Sequence, residues 1–485
     1  MRKRHESDDA ADTLKRYEQY AREIAELIES QALKPGSRLP SVRQASAQRR
    51  ISPSTVFQAY YLLEARGLIS SRPRSGYYVN ARRAPQDSEP LVHAPPEQSS
   101  DVAISDLVFQ VIGSAKSRDM VPLGSAFPSP TLFPLQALAR HLAASMKRLD
   151  PWRTVEDLTP GSLRLRRQIS LRHVVNGTNV HADEIVITNG AMEALTLCLQ
   201  ATTQPGDIVA IESPSFYAAL QSLERLKLRA VQVATHPRFG VDLDSLRKVL
   251  DRHAVKACWF MTNFQNPLGS LMRAQDKQAM VELLASRGIP LIEDDVYGEL
   301  YFGAQRPPSA KTYDREGLVL HCSSFSKCLA PGYRVGWVAA GRYAQRIERA
   351  KLMTTLSAAV PSQEALSAYL DQGGYDRHLR RLRQALQTQQ GIALDLIAAH
   401  FPKGTRVTRP EGGYFLWLEL PSSVDALQLH RFALSHNISV APGHLFATDA
   451  RFAHCVRINY GHPDDPRFAA ALKTLGMTAP RLRST

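Results

Sequence analysis

Cysteine is scarce in this 485-residue chain, and its placement rules out two structural plans. The five cysteines, Cys198, Cys258, Cys322, Cys328 and Cys455, are odd in number and never form a Cys-x-x-Cys pair. Scattered single thiols fit a reducing compartment and exclude a disulfide frame or a zinc ribbon. No apolar run approaches the roughly 18 residues of a membrane span. The start, Met1-Arg2-Lys3-Arg4, leads into Glu6, Asp8 and Asp9 without an apolar stretch, so no secretory signal is expected and a cytoplasmic location is. The sequon Asn176-Gly177-Thr178 then reads as chance. Internal repeats and low-complexity segments are absent. Paired carboxylates in Glu293-Asp294-Asp295-Val296-Tyr297 could bind a metal, but no nearby histidine or further acid outside that run completes a site, so no metal is expected.

Acidic residues are missing from one segment in particular. The net charge is +14 overall. Between Pro35 and Arg83 there are nine arginines (Arg38, Arg43, Arg49, Arg50, Arg66, Arg72, Arg74, Arg82 and Arg83), no lysine and a single acid, Glu64. A one-signed segment of this kind points to phosphate. Its pattern is that of a small domain. Tyr20, Ile24, Leu27 and Ile28 recur at helical spacing within Tyr17–Ala32, and Pro35-Gly36 breaks the helix. Ser41 offers a cap for a helix Val42–Arg49, and Ser54 for a third with Val56, Ala59, Leu62 and Leu63 inward. Gly67 ends it, and Leu68–Ser71 and Gly76–Val79 read as two strands joined by Arg72-Pro73-Arg74-Ser75. Three helices and a basic hairpin make a winged helix-turn-helix.

The segments Gly36–Arg43, Ser54-Thr55-Val56 with Ala59-Tyr60, Gly67-Leu68-Ile69 and Ser75–Val79 resemble the GntR family of bacterial regulators. The resemblance implies a third helix in the DNA major groove, with Ser52, Ser54, Thr55 and Gln58 as base or phosphate contacts. Arg38, Ser41, Arg43, Arg72 and Arg74 would hold phosphates, which position a protein without reading sequence. Ser75 and Gly76 would sit at a wing tip that enters the minor groove.

Pro85, Pro90, Pro95 and Pro96 lie among polar residues, which reads as a linker. The expected division is a DNA-binding domain at 11–82, a linker at 83–120, and a large domain at 121–480 with a small α+β subdomain from about 400. The large domain alternates continuous apolar runs (185–187, 208–211, 257–261, 290–292, 318–320, 335–340) with helical stretches. Runs without alternation are strands covered on both faces, hence a mostly parallel α/β sheet. Residues with chemical capacity follow these strands, where open α/β sheets place ligands. Asn189-Gly190-Ala191-Met192 opens a helix and offers backbone amides to a phosphate. Phe216, Asn266 and the pair Asp294 and Tyr297 follow later strands. After the fifth run come Ser324, Ser326, Lys327 and Arg334: hydroxyls and a guanidinium around one lysine, the company needed by an amine that joins a phosphate-bearing aldehyde.

In this order the elements resemble the fold-type-I aminotransferases, which use pyridoxal 5'-phosphate (PLP). The resemblance implies that Lys327 holds PLP and shuttles a proton, that Asp294 pairs with the ring nitrogen, and that Asn266 and Tyr297 contact the phenolic oxygen. It places Phe216 on the ring face and the phosphate against Gly190, Ala191, Met192, Ser324, Ser326 and Arg334. Arg457 would clamp a substrate carboxylate in its fork. Ala191, Met192, Phe216 and Glu156 depart from residues common in that group. A GntR-like head joined to such a domain resembles the MocR subfamily of transcriptional regulators. That implies a homodimer on double-stranded DNA, in the bacterial cytoplasm and at the nucleoid, sensing PLP or its aldimine with an amino compound. The alternative is an aminotransferase acting on an amino acid and a 2-oxo acid, with the DNA-binding region secondary.

Overall fold

The structure, a computed structural model, describes residues 16–30, 32–33, 36–65, 68–72, 76–79, 89–113, 118–156 and 158–482. It divides into two compact units, Met1–Gln86 and Asp87–Thr485.

In the first unit, helix Arg16–Glu29 buries Tyr20, Ala21, Ile24 and Ile28, one face at helical spacing. Helix Val42–Arg49 carries a capping box, with Ser41 Oγ accepting from Gln44 N and Gln44 Oε1 accepting from Ser41 N. The third helix, Pro53–Ala65, corrects the cap expected at Ser54. Proline has no N–H to lose and fits the first helical position, so the cap falls on Ser52. Ser52 Oγ accepts from Thr55 N at 3.1 Å and bonds the hydroxyls of Ser54 and Thr55. Val56, Ala59, Tyr60 and Leu63 face inward, while Leu62 is half-buried. Strands Ile69–Arg72 and Gly76–Val79 pair antiparallel, Ile69 opposite Val79. Arg74 and Ser75 lie outside the described residues, as do Pro35 and Gly67.

The second unit is built on a mixed sheet in the order Ser100–Asp101, Arg229–His236, Ile208–Ser213, Val255–Phe260, Leu291–Asp294, Val319–Ser324, Gly336–Ala339 and Ile185–Thr188. The strands from 229 to 324 run parallel, and Gly336–Ala339 is antiparallel to both neighbours. Alternate residues of one strand bury against different helices. Ala257 and Trp259 pack with helix Ala191–Thr202, whereas Cys258 and Phe260 pack with helices Leu243–Arg252 and Ala274–Ser286. Double coverage is why these strands read as unbroken apolar runs. The strand Arg229–His236 escaped that reading, because Gln232, Thr235 and His236 interrupt its apolar run. Helices Ala344–Thr354, Val360–Asp371 and Gly374–His400 lead to a small antiparallel sheet of Arg406–Val407, Phe415–Glu419, Cys455–Asn459 and Ala441–Pro442.

The span read as linker is not uniform. Residues 80–88 lie outside the described residues, but 89–113 is part of the second unit. Leu91 N donates to Glu419, Arg451 to the Ala94 carbonyl and His253 to the Glu97 carbonyl, Ser100 pairs with Ala230, and Ser105–Gly113 is a helix. Prolines leave many backbone groups without strand partners, and here side chains of the large unit take them up.

Candidate functional site

Strand Val319–Ser324 ends in a tight turn, with Phe325 N bonded to the Val335 carbonyl and Leu329 N to the Phe325 carbonyl. The turn presents Lys327. Its Nζ donates to the Ala126 carbonyl at 2.9 Å and lies 3.6 Å from the centre of the Phe127 ring. Burial, then the charges of Arg457 and Arg334, lower the amine to about 7 against an opposing pull from Asp294. A lysine so depressed has a large neutral, nucleophilic fraction near neutral pH.

The adjacent parallel strand, Leu291–Asp294, sets Asp294 beside Cys322 in register. Two neighbouring carboxylates then diverge. Asp295 is buried but bonded by Arg306, His321 and Asn263, and Arg306 foremost among them holds it well below the usual carboxylate range. Asp294 is equally buried, its Oδ1 has no hydrogen-bond partner, and burial pushes it up to about 7. A buried carboxyl group with one oxygen left unpartnered suits a cationic ligand group.

Arg457, on strand Cys455–Asn459, is fully buried. It donates to Asn266 Oδ1 at 2.9 Å and to the carbonyls of Gly124 and Ser125 at 2.7 and 3.1 Å, and its Nε has no partner. Asn266 thereby keeps its amide Nδ2 unpaired. Tyr297 is buried edge-on to Tyr414, at 5.5 Å between ring centres, and burial raises its phenol so that it stays a hydroxyl donor.

On the other side of Lys327, Ser326 Oγ accepts from Arg334 Nη1 at 3.2 Å, and Arg334 Nη2 donates to the Asn189 carbonyl at 3.1 Å. Gly190, at φ +92, then caps helix Ala191–Thr202. A Cβ there would overlap Arg334 Nη2, and one on Gly336 would lie 2.5 Å from the Gly190 carbonyl carbon. The two glycines let a backbone turn, a guanidinium and a helix N-terminus converge, which is the donor set for a phosphate. Ser324 Oγ accepts from Ser326 N at 3.3 Å, which shapes the turn and leaves its hydroxyl hydrogen to donate. Phe216 is half-buried before helix Tyr217–Arg225, its ring 4.8 Å from that of Tyr217. Glu156 is exposed on the short helix Arg153–Glu156.

The residues that sequence reasoning missed form the frame. Main-chain carbonyls of Gly124–Phe127 receive Arg457, Lys327, the Tyr414 hydroxyl, Asn459 Nδ2 and His462 Nε2. The Gly412-Gly413 doublet before Tyr414 was a usable signal, since a Cβ on Gly412 would meet the Leu300 carbonyl and the Phe264 ring at 2.6 Å. Glu212, pushed well above the usual range by burial, was also missed; it accepts from Met261 N.

In the first unit Arg38, Ser41, Arg43, Ser52, Ser54 and Gln58 are exposed, and Thr55 and Gly76 are half-buried. Arg72 ends a hairpin strand. Arg38 sits near the wing: it bridges to Tyr78, and a Cβ on Gly76 would be 3.5 Å from its Nε.

Residues 16–79 match the family described as bacterial regulatory proteins of the gntR family, and residues 158–473 match aminotransferase class I and II. The HTH-type transcriptional regulator YdcR of Escherichia coli K12 is 46% identical over 96% of this chain and 98% of its own length. The chain belongs to the MocR-type GntR regulators. YjiR, another MocR-type HTH regulator of that bacterium, is 36% identical over 95% of this chain and 98% of its own. Among solved structures, LysN, an α-aminoadipate aminotransferase from Thermus thermophilus complexed with N-(5'-phosphopyridoxyl)-L-leucine, superposes with a TM-score of 0.69 at 28% identity. The match covers 78% of this chain and 99% of that one. This MocR-type chain thus joins a GntR-type DNA-binding domain to a fold-type-I aminotransferase domain. Among the described residues no helix is long and apolar enough to cross a membrane.

Proposed function

We propose that this chain is a transcriptional regulator whose second unit binds PLP and meets an amino compound at Lys327, altering how the first unit engages double-stranded DNA. One observation carries the reading. Three buried polar atoms without partners, Asp294 Oδ1, Asn266 Nδ2 and Arg457 Nε, accompany an amine depressed to about 7. Such groups are costly unless a polar ligand completes them, and the set fits PLP. Asp294 would meet the ring nitrogen, Asn266 and Tyr297 the phenolic oxygen, and Phe216 the ring face. Ser324, Ser326, Arg334 and the Gly190-Ala191-Met192 backbone would serve the phosphate.

Bound PLP supplies an aldehyde for amines and a ring that accepts electrons from the adjacent carbon. The chain's own residues do the rest. Lys327 Nζ, about half neutral near pH 7, would hold the aldehyde carbon and carry a proton. Asp294 keeps a positive charge opposite Oδ1. Tyr297 would offer its hydroxyl as a hydrogen-bond donor and exclude water by its burial. Arg457 would offer its unpartnered Nε–H and its positive charge to a ligand carboxylate, so an amino acid fits better than a simple amine.

A homodimer belongs to the same reading. Trp152, Val155, Val175 and Met353 leave large apolar side chains 60–80% exposed, a pattern that a second copy would cover, and two DNA-reading heads suit two half-sites. The completeness of the lysine, aspartate, tyrosine and arginine set favours a second activity, slow or partial transamination. Sustained turnover with a 2-oxo acid at roughly 1 per second or more would make catalysis the main function.

The test is DNA affinity and footprint with and without PLP and a panel of amino acids, for wild type and Lys327→Ala. Ligand-dependent change in wild type alone is expected. Identical behaviour of both proteins under every condition rejects the coupling.

A further inference from the structure

A second polar cluster lies at the far end of the strand pair that carries Arg457. Glu419 closes strand Phe415–Glu419, its register partner Cys455 opens strand Cys455–Asn459, and His454 immediately precedes it. His93 comes from the strap 89–101 and packs edge-on against Phe452 at 5.3 Å. Two imidazole nitrogens approach one buried carboxylate: His93 Nε2 is 3.8 Å from Glu419 Oε2, and His454 Nε2 is 3.8 Å from Oε1. Neither is at hydrogen-bond distance, and His93 Nε2 is buried with no partner. The three donor atoms lie within 4.8 Å of one another.

We propose that His93, His454 and Glu419 form a site for a zinc-class divalent cation that clips the strap to the small subdomain. Ligands of a tetrahedral ion with bonds near 2.1 Å stand about 3.4 Å apart, so each histidine at 3.8 Å has a few tenths of an ångström to close on its carboxylate oxygen, and atoms at the 4.8 Å limit of the triad have a little over one ångström, within reach of side-chain rotation. Two imidazoles and one carboxylate are the donor set of zinc and its borderline neighbours, not of calcium or magnesium. The carboxylate has room for the ion. Arg406 Nη1 and Leu91 N each donate to one oxygen at 2.9 Å, which leaves each oxygen a second lone-pair site. Those two donors orient the carboxylate, as outer partners do around metal ligands. The histidine side chains keep 25% and 18% of their surface exposed, which gives an ion and a water ligand an entry path.

A clip here acts on a particular element. The strap follows the segment that leaves the DNA-binding unit, and its anchor lies on the sheet holding Arg457, opposite Trp417 in register. Single histidines 361 positions apart gave no sequence signal for it.

The experiment uses the untagged full chain, stripped with EDTA and titrated with Zn2+ against a chromophoric chelator. About one equivalent per chain is expected, with affinity falling at least tenfold in both His93→Ala and His454→Ala and unchanged in His181→Ala, an exposed histidine elsewhere. Thermal midpoints in EDTA check folding; should His454→Ala be destabilised there, His93→Ala on the strap decides. No stoichiometric zinc, or equal affinity in all three variants, overturns the proposal.

Discussion

The two units handle charge in opposite ways. In the first, Arg38 and Arg43 are exposed to water, and their value lies in number and sign. In the second, Lys327, Asp294 and Arg457 are few, enclosed and mutually dependent, and Lys327 and Asp294 are both brought to about 7 from opposite sides. A polyanion is gripped by many weak, screened contacts; a small ligand is gripped by a handful of desolvated ones. Removing one group should therefore do little in the first unit and much in the second.

The largest expected effect is at Lys327. Lys327→Ala should abolish the absorbance that marks covalently held PLP and all dependence of DNA binding on amines, while binding to DNA alone survives. The wild-type amine also predicts a pH profile. The neutral form attacks, and its folded value lies near 7, below the ordinary 10.5. Capture of PLP should rise through pH 7 and flatten above about 8, one unit past that value; a climb continuing to pH 10 would mean the amine is not enclosed. Next comes Asp294→Asn, which removes the countercharge without changing shape. PLP should be held about tenfold to a hundredfold less tightly, from the loss of about 1–3 kcal/mol. The ligand-free protein should melt at the same temperature or higher, because an unpaired buried carboxylate is gone. A lower midpoint would show that Oδ1 is paired in solution.

Smaller effects test the other side. Arg38→Ala and Arg43→Ala should each weaken binding to all DNA sequences by a few fold and reduce the salt slope by about one. Loss confined to a single base position would move that arginine from phosphate to base. Smallest is Ser52→Ala, which removes the cap of helix Pro53–Ala65 at a cost of about 1 kcal/mol, visible in the early phase of thermal unfolding. Ser54→Ala should cost less, which separates the observed cap from the one expected.

Legibility also differed between the units. The first is local: capping serines and apolar residues at helical spacing lie within a few positions of what they control. The cap expected at Ser54 falls instead on Ser52, because Pro53 starts the helix earlier, and Leu27, counted on the apolar face, is exposed. In the second unit the strand ends announced themselves through buried apolar runs, and Lys327, Asp294, Asn266 and Arg457 could be named. What holds them could not. Ala126, which receives Lys327, lies 201 positions away, and Gly124 lies 333 from Arg457. Both offer only a carbonyl, a group every residue has. The strap 89–101 was misjudged for a related reason: its prolines suggested free chain, whereas its backbone is taken up by Glu419, Arg451 and His253.

That carbonyl frame has an evolutionary corollary. Gly124 admits no Cβ, which would lie 2.8 Å from the Val440 carbonyl carbon, and Ser125 Oγ accepts from Phe127 N, but Ala126 and Phe127 are grasped by their peptide oxygens and their side chains are released from any duty of anchorage. Phe127, whose ring stands over the lysine, could be exchanged for a smaller or more polar residue with the frame intact. The same scaffold can thus be retuned to another amino compound by altering one wall.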